Sequence, residues 1–502
     1  MTSEILACST ECEEFLHDES RRIGTADGIA FPTTEDEIVQ IVKQARKRGL
    51  TITIQGARTG IVAGAVPEGG LILNLSRMNQ IGEPTDSGIV VQPGALLSEI
   101  REAITPKGLF FPPDPTETSA SIGGMTACNA SGAISFHYGA TRNWIDSIRL
   151  VLSDGDILAI KRGECIAQGR EFSVRTESGR VIDGKLPSYT MPAVKSAAGY
   201  FVSDGVDLID VLIGSEGTLG IITEIGLRLI ERPAEIQGLT VFLPTEEAVI
   251  RLVQVARGED VEGFASPAMR PAAIEFFNSN ALDLLRKAKA TNPAFENIPQ
   301  LKDSYHTALY LEYHADDSDS IEETVMELMD AIIELGGSDE DTWFATTERE
   351  MEPIKAFRHA TPEAVNLLIG ERKRDCPDLT KLGTDMSVPD AALPSAIAMY
   401  NAGLAENGLE YVIFGHIGNN HVHVNILPHD MDEYAKGKKL YLSWASEVVK
   451  MGGSVSAEHG IGKLKVPFLQ MMYDESTLDE MRALKRLFDP EMALEPGVMF
   501  TA

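Results

Sequence analysis

The chain has 502 residues and a formal net charge of −31, from 75 Asp and Glu against 44 Lys and Arg, a balance that repels a phosphate backbone and makes nucleic acid an unsuitable partner. No uninterrupted apolar run reaches the roughly 18 residues of a membrane span, and the stretch Met1–Asp18 lacks the basic-then-apolar layout of a secretion signal, so a cytoplasmic protein is expected. Cys8, Cys12, Cys128, Cys165 and Cys376 are too scattered for a disulfide framework, which suits a reducing compartment, and the Cys8/Cys12 pair has no second pair to complete a structural zinc site.

At about 150 residues per domain the length predicts two or three domains, with room for a large cofactor between them. In chain order, Thr34 and Glu37 have capping-box spacing ahead of an apolar stripe at Ile38, Ile41, Val42 and Ala45, and Gly49 supplies the stop, which predicts a helix. The alternating segment Thr51–Ile54 predicts a strand running into a glycine-rich loop. Strands are expected at Leu71–Leu75 and Gly88–Val91, then a helix from Leu96. From Pro233 the pattern changes: apolar strands at Leu239–Leu243 and Thr307–Tyr313 are each followed by a helix, starting near Thr245 and Ser318, as in helices covering an antiparallel sheet. The acidic stretches Ala315–Asp319 and Ser338–Asp341 read as solvated loops. After about Ala457 helix formers dominate until Asp489-Pro490.

Three runs of small residues have the composition of a cofactor cradle, because glycines let backbone N–H groups approach phosphates closely. The first is Gly56-Ala57-Arg58-Thr59-Gly60, continuing to Gly64 and Ala65. The second, preceded by Pro115 and Thr116, takes in Ser121, Gly123, Gly124, Asn129, Ser131 and Gly132. The third holds Glu216, Gly217, Gly220 and Ile222. A further cluster gathers histidines, of which the chain has 10: His416-Ile-Gly-Asn-Asn-His421-Val-His423-Val-Asn425. A strand from His421 would place His421, His423 and Asn425 on one face and Val422, Val424 and Ile426 on the other. The turn after His416 can bring His416 and His423 to one ion, and Glu458-His459 offers a carboxylate beside a base. Two imidazoles and one carboxylate leave positions open for substrate and suit zinc first, or manganese or iron.

The three glycine segments, in this order, resemble the FAD domain of the vanillyl-alcohol oxidase and p-cresol methylhydroxylase family. The histidine segments narrow the resemblance to the branch holding D-lactate and D-2-hydroxyglutarate dehydrogenases and the flavin subunit of glycolate oxidase. It implies an α+β protein with an N-terminal arm (1–30), a p-cresol methylhydroxylase-type FAD-binding domain (31–232), a substrate and metal domain (233–456) with helices covering an antiparallel sheet, and a C-terminal segment (457–502) returning to the FAD site. It also implies that the first loop holds the pyrophosphate, that Gly123-Gly124 runs along the flavin and ribityl chain, and that Gly214–Gly220 meets the adenine. His416, His423 and Glu458 fall on the branch's metal ligands, His459 on its general base, and Arg358, Lys381 and Asn425 on its substrate contacts. Many members have Gly-Asp-Gly-Asn where this chain has Gly418-Asn-Asn-His421, so His421 stands as a supplementary ligand or a group behind the ligands. The first loop carries no histidine, which favours noncovalent FAD, with His137 the remaining tether candidate.

The implied reaction is oxidation of a small D-2-hydroxy acid to its 2-oxo acid. Electrons would pass to an external acceptor, whether an electron-transfer flavoprotein, a quinone or a cytochrome, since neither a nicotinamide fingerprint nor an iron–sulfur cysteine pattern is present. A homodimer or a subunit of a larger complex is compatible with this, as is peripheral attachment to a membrane through the acceptor. The rival readings are a non-redox transferase on the same fold, of the alkyl-dihydroxyacetonephosphate synthase type, and a noncatalytic flavin subunit.

Overall fold

A computed structural model describes residues 4–8 and 10–500. The N-terminal half contains two four-stranded sheets and two two-stranded ribbons. In the first, strands Gly28–Ala30, Leu71–Asn74 and Ile52–Gln55 run parallel, and Leu6–Ala7 pairs antiparallel at the edge. Helix Glu35–Arg48 connects two of the parallel strands and buries Ile38, Ile41, Val42 and Ala45 against Leu71 and Leu73. Its Thr34 hydroxyl accepts from Glu37 N at 3.3 Å, while the Glu37 carboxylate reaches one residue beyond the expected cap to Thr33 N at 2.7 Å. Gly49, in the left-handed region at φ 66°, ends the helix. The second sheet is antiparallel, in the order Gly88–Val91, Ile221–Arg228, Ile145–Val151, Ile157–Lys161.

The C-terminal half is built on a seven-stranded antiparallel sheet in the order Trp343–Ala345, Glu235–Leu243, Thr307–Ala315, Ala273–Phe277, Tyr411–Gly415, His423–Ile426, Leu382–Gly383. Its helices form two groups with separate apolar cores. Glu246–Ala256 and Ser318–Glu334 contribute to one, Ser279–Thr291 and Glu348–Arg372 to the other. The stretch Ala315–Asp319 is not the solvated loop its composition suggests: the strand runs to Ala315, and Asp317 caps the next helix by accepting Ser320 N at 2.8 Å. A short polar side chain that can satisfy a helix N-terminus is as useful there as in a loop.

After helices Val466–Met472 and Glu475–Phe488 the chain returns to the N-terminal sheet. Ile52 N donates to Ala493 O and Glu495 N to Ile52 O, each at 2.8 Å. The segment around residues 493–495 thereby lies beside the strand that leads into the first glycine loop. Among the described residues no helix is long and apolar enough to cross a membrane.

Candidate active site

The three glycine segments converge on one cavity of about 380 Å³. Gly56 is held against the second segment: a Cβ there would lie 2.1 Å from Ser121 Oγ, which accepts Ala57 N at 3.3 Å. Gly60 and Gly64 are different. Both line the cavity, and a Cβ at either would meet no protein atom within 4 Å. Neither has a positive φ, so protein packing does not explain their small size, whereas a bulky ligand lying on the loop does. The N-terminal arm braces the same loop. Gln55 Nε2 donates to Phe15 O at 2.7 Å and to Ala65 O at 2.8 Å, and the Arg58 guanidinium lies 4.5 Å from the Phe15 ring centre.

Of the residues named above for the cofactor, Asn129, Gly132 and Gly214 do not line this cavity, while the others named singly do. Asn129 ends helix Ile122–Cys128 in the left-handed region, and its Oδ1 accepts Arg142 N at 2.9 Å. Gly132 packs on the Asp114 backbone, where a Cβ would fall 1.6 Å from the carbonyl oxygen. Their small or flexible character therefore serves the turn, not the cavity wall. His137 stands edge-on to Tyr138 and is also outside the lining. Glu458 and His459 do line it.

The histidines are brought together by a hairpin. Strands Tyr411–Gly415 and His423–Ile426 pair with Phe414 opposite His423. Gly415, at φ 119°, leaves the His423 ring free to cross the hairpin, since a Cβ would sit 2.7 Å from its Cδ2. Pairing starts at His423, so His421 lies in the loop and not on the strand face expected for it. His421 N donates to His416 O at 3.2 Å, and the fold-back buries His421 completely. As a result the ligand atoms of His416, His421, His423 and Glu458 all lie within 4.8 Å of one another.

Surrounding acceptors fix which ring nitrogen of each histidine faces this cluster. His416 Nδ1 bonds Glu275 Oε1 at 2.6 Å and His423 Nδ1 bonds Thr384 O at 3.0 Å. The Nε2 atoms thus face the interior, with His416 Nε2 lying 3.2 Å from Glu458 Oε1. His421 Nε2 is 3.1 Å from Asp385 Oδ1 but lacks hydrogen-bond alignment, so both of its ring nitrogens are buried without a hydrogen bond. Orphaned buried nitrogens beside a carboxylate are the donor set of a divalent ion, and the residues fit one. Burial pushes the His421 pKa down and that of His423 well down, which keeps them neutral and able to ligate. At His416 burial is outweighed by Glu275 and Glu458, which raise its pKa to about 9. Glu458 is held ionised despite burial by His416 and by Lys195, whose Nζ bonds Oε1. Ser131 Oγ donates to the same oxygen at 3.2 Å, joining the cluster to the flavin cavity.

Because Glu275 orients the His416 ring, Glu275→Gln should weaken metal affinity by about 10- to 100-fold while leaving FAD bound. Competition with a calibrated chelator measures the first, and flavin absorbance the second.

His459 Nδ1 lies 3.2 Å from Asp385 Oδ2. Asp385, fully buried, also accepts Glu458 N and His459 N at 3.1 Å each, Ser456 Oγ at 2.8 Å and Lys465 Nζ at 2.5 Å. It therefore positions both Glu458 and His459.

Asn425 is two residues from His423 on the same strand face and opposite Gly383. Lys381 precedes that pairing strand; burial and Arg21 lower its pKa, and it has no carboxylate partner among the described residues. Arg358, on helix Glu348–Arg372, is 3.6 Å from Asp114 Oδ2. Burial would lower its pKa, but Asp114, Tyr310, Glu312 and Glu275 reverse the sign and keep it firmly charged. Glu275, Lys195 and Glu495 carry no sequence motif that singled them out; only the tertiary structure brings them here.

Residues 26–161 match the model of an FAD binding domain, and residues 239–499 that of the C-terminal domain of FAD linked oxidases. The chain belongs to the FAD-linked oxidases and is an FAD-dependent oxidoreductase. Similar proteins include glycolate oxidase subunit GlcD of Bacillus subtilis, 28% identical with 94% of this chain and 89% of the relative covered. D-lactate dehydrogenase of Anaerostipes hadrus is 27% identical (97% and 92%), and D-2-hydroxyglutarate dehydrogenase of Stutzerimonas stutzeri 27% (94% and 91%). Among solved structures, p-cresol methylhydroxylase with substrate bound shares the fold at TM-score 0.69 and 15% identity, covering 99% of this chain and 94% of that one. An alkyldihydroxyacetonephosphate synthase does so at 0.66 and 17%, covering 95% and 77%.

Proposed function

We propose that the protein is a metal-assisted dehydrogenase that oxidises a D-2-hydroxy acid of the D-lactate, glycolate or D-2-hydroxyglutarate type to the 2-oxo acid. The observation that carries this reading is the junction at Glu458-His459, where a cluster of three imidazoles and a carboxylate meets the wall of the flavin cavity. When bound, FAD supplies the two-electron acceptor, and a divalent ion, zinc first, or manganese or iron, supplies a Lewis acid for the substrate hydroxyl. His416, His421, His423 and Glu458 are the residues that would hold the ion.

His459 takes the hydroxyl proton at Nε2, since Asp385 occupies its Nδ1. The hydride on the 2-carbon leaves toward the flavin. Arg358 and Lys381 bind the substrate carboxylate and Asn425 orients it, so that the 2-carbon is presented in one hand. FAD is held without a covalent bond: of the histidines, only His459 lines the cavity among the described residues, and burial raises the Cys128 thiol to a pKa of about 12, which makes it a poor nucleophile. The electrons pass to a separate flavoprotein, quinone or cytochrome in the cytoplasm or at a membrane surface. The division into 1–30, 31–232, 233–456 and 457–502 belongs to the same reading.

The test is anaerobic mixing of the holoprotein with paired D- and L-2-hydroxy acids, followed by flavin absorbance. Bleaching by a D-acid and not its L-partner is expected. A flavin that no 2-hydroxy acid reduces would move the reading to the transferase class.

A further inference from the structure

We propose that Glu495 is a cofactor-binding residue whose Oε2 donates a hydrogen bond to a diphosphate oxygen of FAD. The proposal rests on FAD occupying the cavity already described and concerns a residue outside the three glycine segments. Glu495 is 4% exposed and lines the cavity. Its Oε1 accepts Ile54 N at 2.6 Å, but its Oε2 is buried with no partner among the described residues. A buried polar atom left unmatched in this way costs stability unless a ligand supplies the missing bond. Gly217 presses on the same side chain, since a Cβ there would be 3.0 Å from Glu495 Cγ. The backbone of Glu495 is held in the left-handed region at φ 49°, so the carboxyl is aimed by the fold. Ile54 leads directly into the glycine loop suited to phosphates, which places Oε2 near that end of the cofactor.

The acid form is the one that can act there. A carboxylate would repel phosphate, whereas a carboxylic acid donates to it. Burial and the neighbouring Glu216 push the Glu495 pKa up to about 8 against the opposing charges of Lys463 and Lys485. Glu216, itself raised to about 7 by burial, is occupied by Ile461 N at 2.8 Å and Gly462 N at 2.7 Å and has no free oxygen to offer. With Oε1 accepting Ile54 N, the proton resides on Oε2. FAD affinity should therefore be constant at acid and neutral pH and fall as pH rises through about 8.

Serial dilution of the purified full-length holoprotein, read as recovered flavin fluorescence, tests this. Glu495→Gln keeps an acceptor for Ile54 N and an N–H donor for FAD, so it should retain affinity and lose the fall above pH 8. Glu495→Leu should release FAD at roughly tenfold higher protein concentration, as expected for one lost neutral hydrogen bond. The proposal is overturned, with the FAD reading left standing, if Leu retains FAD as the wild type does, or if Gln releases it as readily as Leu. A pH profile of Gln that matches the wild type overturns it too, and that comparison decides even if the Leu variant does not fold. A wild-type protein that never holds flavin would contradict the FAD reading itself.

Discussion

Glu458→Gln should abolish stoichiometric metal binding and slow flavin reduction by a D-2-hydroxy acid by about 10³-fold or more, the several kcal/mol that a Lewis acid contributes. The substitution preserves shape but removes the single anion toward which His416, His421 and Lys195 converge. Without that carboxylate Lys195 would lose its ion-pair partner beside the incoming cation. Elemental analysis should show loss of the ion, while the flavin spectrum shows FAD in place, because Glu458 only edges the cavity. Equal metal content in variant and wild type would remove Glu458 from the ligand set.

Asp385→Asn should lower the rate of flavin reduction by about 10³-fold with metal and FAD retained. The precedent in physical terms is a buried carboxylate that holds a catalytic imidazole in one tautomer, whose loss costs up to about 10⁴ in kcat. On the proposed mechanism Asp385, 3.2 Å from His459 Nδ1, would stabilise a positive His459 after proton uptake and keep Nε2 as the basic nitrogen. Its own ionised form is secured by His459 and Lys465, which outweigh the cost of burial. The deficit should appear in kcat with little change in KM, since substrate-carboxylate contacts lie elsewhere. Because Asp385 also anchors Lys465 and two backbone N–H groups, thermal stability should fall as well. A variant with unchanged kcat would show that His459 is not the base.

Much of this site is legible along the chain because its parts are local. The glycine loops announce themselves by composition, and His416, His423 and the Glu458-His459 pair by rarity and spacing. The limits are also physical. His421 falls outside the strand because the 416–422 loop folds inward before pairing begins, which residue alternation cannot report. Asn129 and Gly132 share the composition of the cradle but answer to a helix cap and a backbone crossing. Glu275, Lys195 and Asp385 lie 141, 263 and 73 positions from the partners they orient, so nothing local marks these roles. Glu495 sits in a plain C-terminal turn and becomes informative only when its second oxygen is found buried and unpaired.

The measurement that bears most directly on metal-assisted oxidation is anaerobic flavin bleaching by the best D-acid before chelation, after chelation, and after restoring zinc, manganese or iron. The account predicts rapid bleaching that is lost on chelation and recovered with one of these ions, FAD remaining bound throughout. Undiminished bleaching by a protein shown to be free of metal would contradict it.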